Sequence, residues 1–364
     1  MKKCILHIGQ PKTGTTAVRR TFRLEDNQKY LLENNIYAAS LCLSRTGGDN
    51  MENLVYKDAP VVQLTSGVSI PQSVYTDITG KEDRLSNDTI ADWQYEDYTL
   101  FISDEVLCMT PTHINPIWSE EYENYVQILY KIFTEDLGFD DIEIVVFIRE
   151  QSQLLESWWR QTMFRHDVHS AFNGLTFEQS VSKVYNHQGY KANLFNGYNI
   201  VSTYSKYFDN VKVCPYTSGK TLTTICDILG IDNTKLISLD TETPQHYSLE
   251  LADFITQYLP QYVQDADPTI LRKLDDEVEV EHIKGSVLSL NTRNQIMNEW
   301  EESNQKLVDE FNLNADFFTT QKEYSLSLPV YERTDKTMEA YYAKYLELVQ
   351  AEQTSNVEES NQGE

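Results

Sequence analysis

The sequence is poor in positive charge. Its 364 residues carry 30 Lys and Arg against 56 Asp and Glu, a formal net charge of -26. Nucleic acid and anionic membranes are recruited by clustered Lys and Arg, so the overall balance argues against both as partners. Cysteine is also scarce: Cys4, Cys42, Cys108, Cys214 and Cys226 form no C-x-x-C pair and no short-spaced cluster. Such spacing fits buried thiols in a reducing compartment, not a disulfide scaffold or a cysteine metal centre. No stretch approaches the ~18 consecutive apolar residues of a membrane span. The apolar start Cys4 to Ile8 stops at Gly9-Gln10-Pro11-Lys12, short of the core of a signal peptide. The expectation is a cytoplasmic, soluble protein without an internal repeat.

What is present is ample core material, 40% hydrophobic and 12% aromatic residues, enough for one large α/β domain or two smaller ones. Cys4 to Ile8, Tyr98 to Ser103, Asp141 to Ile148 and Val211 to Tyr216 read as strands. Helical spacing follows from Thr15 to about Glu33, through Leu154, Leu155, Trp158 and Thr162, near Phe177 to Val184, from Tyr198 to Phe208 and around Leu222 to Leu229. Apolar strands alternating with helices predict a parallel sheet covered on both faces. Residues 39–97 are polar and broken by Pro60 and Pro71, which marks an insertion of loops or short helices. The last third is helical, over Asn291 to Phe311 and Lys336 to Val349. Residues 351–364 hold four Glu and no base and are expected to be a solvated tail.

The few cations are unevenly placed. Residues 1–24 contain Lys2, Lys3, Lys12, Arg19, Arg20 and Arg23 and no acid, a basic island that points to a local anion site or to an exposed helix face. Within it, Gly9-Gln-Pro-Lys-Thr-Gly-Thr-Thr16 lies between a strand and a helix. There, backbone N–H groups and the positive end of the helix dipole cradle phosphate. The spacing nearly matches the nucleotide loop G-x-x-x-x-G-K-[ST], with Gly9 and Gly14 bracketing four residues. The lysine, however, is Lys12, and Thr15 stands where that loop has its lysine.

The string Pro11-Lys12-Thr13-Gly14-Thr15-Thr16 resembles the 5′-phosphosulfate loop of the sulfotransferases that use 3′-phosphoadenosine 5′-phosphosulfate. Arg149 at the end of a strong strand, with Ser157 eight residues later, is similar to that family's 3′-phosphate pair. The stretches Tyr198 to Ile231 and Ser303-Asn304-Gln-Lys-Leu307 also resemble bacterial members, so the similarity runs over about residues 4–329 with 39–97 unmatched. The animal family's R-K-G loop is absent, and Arg293 is a weak substitute.

The resemblance implies a P-loop-type three-layer α/β fold over residues 1–330, with a parallel sheet of about five strands and a helical C-terminal portion, 331–350 forming a last helix. It implies transfer of a sulfuryl group from 3′-phosphoadenosine 5′-phosphosulfate, without a required metal, to a hydroxyl or amine of a glycan, glycolipid or small metabolite. Lys12 would contact the bridging oxygen between phosphate and sulfate, Thr13 to Thr16 would hold the 5′-phosphate, and Arg149 with Ser157 the 3′-phosphate.

The base that takes the acceptor's proton is expected at Ser103-Asp104-Glu105, with Glu105 first and Asp104 as the alternative. An apolar strand ending in Asp-Glu is also the Mg²⁺-binding strand of an ATP-using P-loop protein, or a pair capping the next helix. An ATP-dependent kinase and a non-catalytic nucleotide-binding P-loop protein therefore stand as alternatives. His166 and His169 have metal-compatible spacing but no nearby third ligand and a flanking Arg165, so a metal is not expected. His7 reads as a core histidine, and many of the 23 tyrosines as core.

Overall fold

A computed structural model describes residues 2–38, 61–63, 69–71, 98–108, 119–162, 175, 177–186, 195–237, 248–258, 268–278 and 285–362. The chain divides into two compact units. Residues 1–150, 187–241 and 300–319 form one, and 151–186, 242–299 and 320–364 the other.

The first unit is built on a five-stranded, wholly parallel sheet. Its strands are β1 (Lys3–His7), β2 (Ile36–Ala38), β5 (Thr99–Ser103), β6 (Asp141–Ile148) and β7 (Asn210–Pro215), in the order β2-β5-β1-β6-β7. Residues Val61–Gln63 (β3) and Ser69–Pro71 (β4) pair separately as an antiparallel ribbon. The remainder of the 39–97 insertion lies outside the described residues. Parallel sheets must be covered on both faces, and the central strands read as continuous apolar runs for that reason. Cys4, Ile5, Leu6 and Val145 to Ile148 are all buried.

Side chains alternate across the sheet. On one face Ile5, Phe101, Val145 and Phe147 pack with Val18 and Phe22 of α1 (Thr15–Phe22) and with Ile225 and Cys226, which lie in a helix farther along the chain, Thr221–Leu229. The opposite face meets the helix Gly197–Ser205, whose first residue has no room for a side chain: a Cβ on Gly197 would lie 2.9 Å from Ile148 Cδ1. These two helices are α5 and α6 below, in the order α5 (Gly197–Ser205), α6 (Thr221–Leu229).

The expected single helix from Thr15 to Glu33 is two, α1 and α2 (Glu25–Glu33). Buried Asn27 causes the break. Its amide donates to the carbonyl of Thr21 at 2.8 Å and of Ile237 at 2.9 Å and accepts from the Ile237 N–H at 2.8 Å, which fixes the chain as it turns at Leu24. The short edge strand β2 was not expected, and three residues carry too little periodicity to announce it.

The second unit is helical. It contains α3 (Gln151–Thr162), α4 (Phe177–Tyr185) and the helices Leu249–Tyr258, Pro268–Glu277, Leu290–Glu299 and Asp335–Gln362. Tyr341 is fully buried and stacks on Phe254 with ring centroids 5.6 Å apart. Arg333 grips buried Asp253 with two hydrogen bonds of 2.8 and 2.7 Å. Residues 351–362 continue the last helix where a solvated tail was expected. From Asp335 to Gln362 there is neither Gly nor Pro to stop a helix already held by Met338 and Tyr341. The expected helix from Asn291 to Phe311 is also interrupted, at Trp300.

Candidate functional site

In the sheet order, the connection leaving β1 runs toward β5 and β2, while that leaving β6 runs toward β7. The carboxyl ends of β1 and β6 thus form the topological switch point where such sheets bind ligands. The Gly9 to Thr16 loop leaves β1 there, Arg149 leaves β6, and Asp104 and Glu105 leave the adjacent β5.

The loop is pinned residue by residue. The Gln10 N–H donates to the Phe147 carbonyl at 3.4 Å, and the buried Gln10 side chain accepts from the Arg149 N–H at 2.9 Å. Pro11 is buried and Lys12 takes the left-handed conformation, φ 67°. The Lys12 carbonyl is thereby presented to the Arg149 guanidinium, which donates to it at 2.8 Å while lying 4.9 Å from the centre of the Tyr216 ring. The buried Thr13 hydroxyl donates to the Gln10 carbonyl at 2.5 Å, and the Thr13 carbonyl accepts from Thr221 at the start of α6 at 2.8 Å. Gly14 is obligatory: its φ is 92°, and a Cβ would lie 2.8 Å from the Thr221 hydroxyl. The loop then enters α1, where the Val18 N–H bonds to the Gly14 carbonyl. Gly14 caps that helix without a side chain, and the first turn holds no acid. The leading amides and the dipole of α1 remain to serve an anion.

The carboxylates from β5 have separate fates. Asp104 is fully buried, with its N–H on the His7 carbonyl and its carboxylate 4.0 Å from Arg19 of α1. Glu105 is half-buried in the 3₁₀ turn Glu105–Cys108 and accepts the Thr15 hydroxyl at 2.5 Å. Beneath the loop, His7 shares a hydrogen bond of 2.9 Å with Ser103 and packs its ring edge-on to Phe147. Burial first, and the Arg19 charge second, lower its pKa to about 3, so the ring is neutral.

The structure thus brings Pro11, Lys12, Thr13, Gly14, Thr15 and Thr16 together with Glu105, Asp104 and Arg149 within one unit. Ser157 is buried in α3, within the second unit. Arg293 is spent on the Ser325 and Leu328 carbonyls, which accept from its guanidinium. Ser303 donates to the Asn196 side chain that caps α5, a structural latch. His166, His169 and Arg165 lie outside the described residues, and among the described residues no group of three or more His, Cys, Asp or Glu gathers for a metal. Gln10, Arg19, Tyr216 and Thr221 complete the site unannounced. Only Arg19 carried a signal, one helical turn beyond Thr15 in the basic island.

The fold and site together define an α/β protein of the P-loop type, with a glycine-rich loop between β1 and α1 whose lysine lies inside the loop. No protein-family model matches the chain, and no curated protein matches it. Among solved structures it is similar to a sulfotransferase from Alicyclobacillus acidocaldarius, with 14% identity over 75% of this chain and 99% of that one and a TM-score of 0.32.

Proposed function

We propose that the protein transfers a sulfuryl group from 3′-phosphoadenosine 5′-phosphosulfate to a hydroxyl or amine of a glycan, glycolipid or small metabolite. The observation that carries this reading is the joint between the two cations of the switch point, the Arg149 guanidinium donating to the carbonyl of Lys12. The bond is to the loop's main chain, so it holds the strand-end guanidinium beside the loop that carries Lys12, which supports a ligand with anionic groups at two places.

The loop suits a 5′-phosphate in its donors: the leading amides of α1, the Thr16 hydroxyl and the Thr15 hydroxyl once it leaves Glu105, while the Thr13 hydroxyl stays on the Gln10 carbonyl and shapes the loop. Glu105 takes the acceptor's proton as the acceptor oxygen bonds to sulfur. The bond from sulfur to the bridging oxygen breaks, its electron pair stays on that oxygen, and Lys12 neutralises the charge that develops there. Arg149 braces the loop and faces the 3′-phosphate. Positioning and electrostatics do the work, as in phosphoryl transfer.

The Thr15–Glu105 pair favours a second reading, since a loop hydroxyl beside a strand-end carboxylate also suits Mg²⁺ in an ATP-dependent kinase. Thermal unfolding separates the two. Adenosine 3′,5′-bisphosphate is expected to raise the unfolding midpoint without Mg²⁺. Stabilisation by ATP with Mg²⁺ and none by the bisphosphate would sink the sulfuryl-transfer reading.

A further inference from the structure

Glu105 is an oddity in an anion site. Its carboxylate stands 2.5 Å from the hydroxyl of Thr15, the first residue of α1, at the end of the helix that attracts negative charge. Among the described residues no cation lies within ion-pair distance of it, whereas neighbouring Asp104 has Arg19 at 4.0 Å. A neutral hydroxyl is its only hydrogen-bond donor of the described side chains. The loop therefore already contains an anion of its own, held on a group that an incoming phosphate would use.

We propose that Glu105 is a specificity-determining residue that limits how much negative charge the loop accepts. An entering anion must take the Thr15 hydroxyl from the carboxylate and then sit beside it, and each further negative charge on the entering group adds to the repulsion. A 5′-phosphate whose outer group is a singly charged sulfate meets less repulsion than one extended by further phosphates. Discrimination between a phosphosulfate and a polyphosphate then comes from one uncompensated carboxylate. Displacement also frees Glu105 to accept a proton only once the loop is filled. The inference rests on the anion-loop reading above and deepens it.

The test is calorimetric titration with AMP, ADP and ATP in EDTA, a series that differs only in the charge of its 5′ group. Wild-type protein should bind them progressively more weakly. In Glu105→Gln the order should flatten or reverse, with a gain relative to AMP of about tenfold for ADP and about a hundredfold for ATP. An unchanged order, or equal weakening of all three, overturns the proposal. Should the variant not fold, wild-type protein decides the matter: sulfate should protect against thermal unfolding at lower concentration than pyrophosphate at matched ionic strength, and the opposite order overturns it. Failure of the sulfuryl-transfer reading appears elsewhere, as no preference for adenosine 3′,5′-bisphosphate over AMP, and leaves the AMP, ADP and ATP ranking untouched.

Discussion

At the scale of single residues, the site is a set of side chains held by backbone, and backbone held by side chains. Lys12 and Gly14 both adopt positive φ, which turns successive peptide groups of the loop; the glycine does so freely and the lysine at a cost. The hydrogen bond from Arg149 to the Lys12 carbonyl offsets part of that cost. His7 supplies a neutral floor. In the folded protein its ring stays neutral down to about pH 3, while an unfolded chain takes up a proton below about 6.5. Between those values the unfolded state binds more protons, so stability falls as pH falls through that window. The slope is about 1.4 kcal/mol per pH unit. His7→Gln should remove this component from a plot of stability against pH, measured by denaturant unfolding between pH 4 and 7. An unaltered slope would mean that His7 is not the buried neutral base described.

Lys12, Thr15, Arg149 and Glu105 were legible in the sequence because their chemistry is local, in a glycine-rich turn or at the end of an apolar strand. Gln10 and Thr221 were not. The bond from Thr221 to the Thr13 carbonyl spans 208 positions, and no short window of sequence contains such a contact.

At the scale of elements, legibility followed the length of the apolar run. Asp141 to Ile148 matches β6 to the residue because its apolar positions run from Ile142, past the partly buried Glu143, into the continuous buried stretch Ile144 to Ile148 of a strand covered on both faces. Three-residue β2 gave no such signal. Helix breaks were illegible for a different reason. The joint between α1 and α2 is set by Asn27, whose partner Ile237 is 210 residues away. It decides where α1 ends, and so how the loop-bearing helix is held against the sheet. Asn27→Ala leaves the Thr21 and Ile237 backbone groups without their partner. It should cost about 2–3 kcal/mol and lower the unfolding midpoint by several degrees, roughly. Scanning calorimetry reads this directly, and a midpoint within a degree of wild type would show that the joint is held by packing alone.

At the scale of the whole molecule, the charge balance and the proposed ligand oppose each other. A protein of net charge -26 is asked to bind a polyanion. The conflict is resolved locally: Lys12, Arg19 and Arg149 gather at the switch point of the sheet, within a helix dipole's reach, while at ~0.15 M salt the distant acids are screened beyond about 8 Å. The parallel sheet is what makes this possible, since it delivers the carboxyl ends of β1 and β6 side by side, with Lys12 in the loop after the first, Arg19 on the helix that follows that loop and Arg149 after the second. Four of the five strands were legible as apolar runs alternating with helices; the count of about five came from the family resemblance. The division into two units was not legible, because each unit is assembled from separated segments.

The central claim is that Lys12 assists sulfuryl transfer from a nucleotide donor. Its most direct test follows a radiolabelled sulfuryl group from 3′-phosphoadenosine 5′-phosphosulfate to a panel of glycans, glycolipids and small hydroxyl compounds, with wild type and Lys12→Ala side by side. Wild type should label at least one acceptor class, and the variant, still folded, should do so at least about a hundredfold more slowly. Undiminished transfer by Lys12→Ala, or no labelled product from wild-type protein that binds adenosine 3′,5′-bisphosphate, would contradict the account.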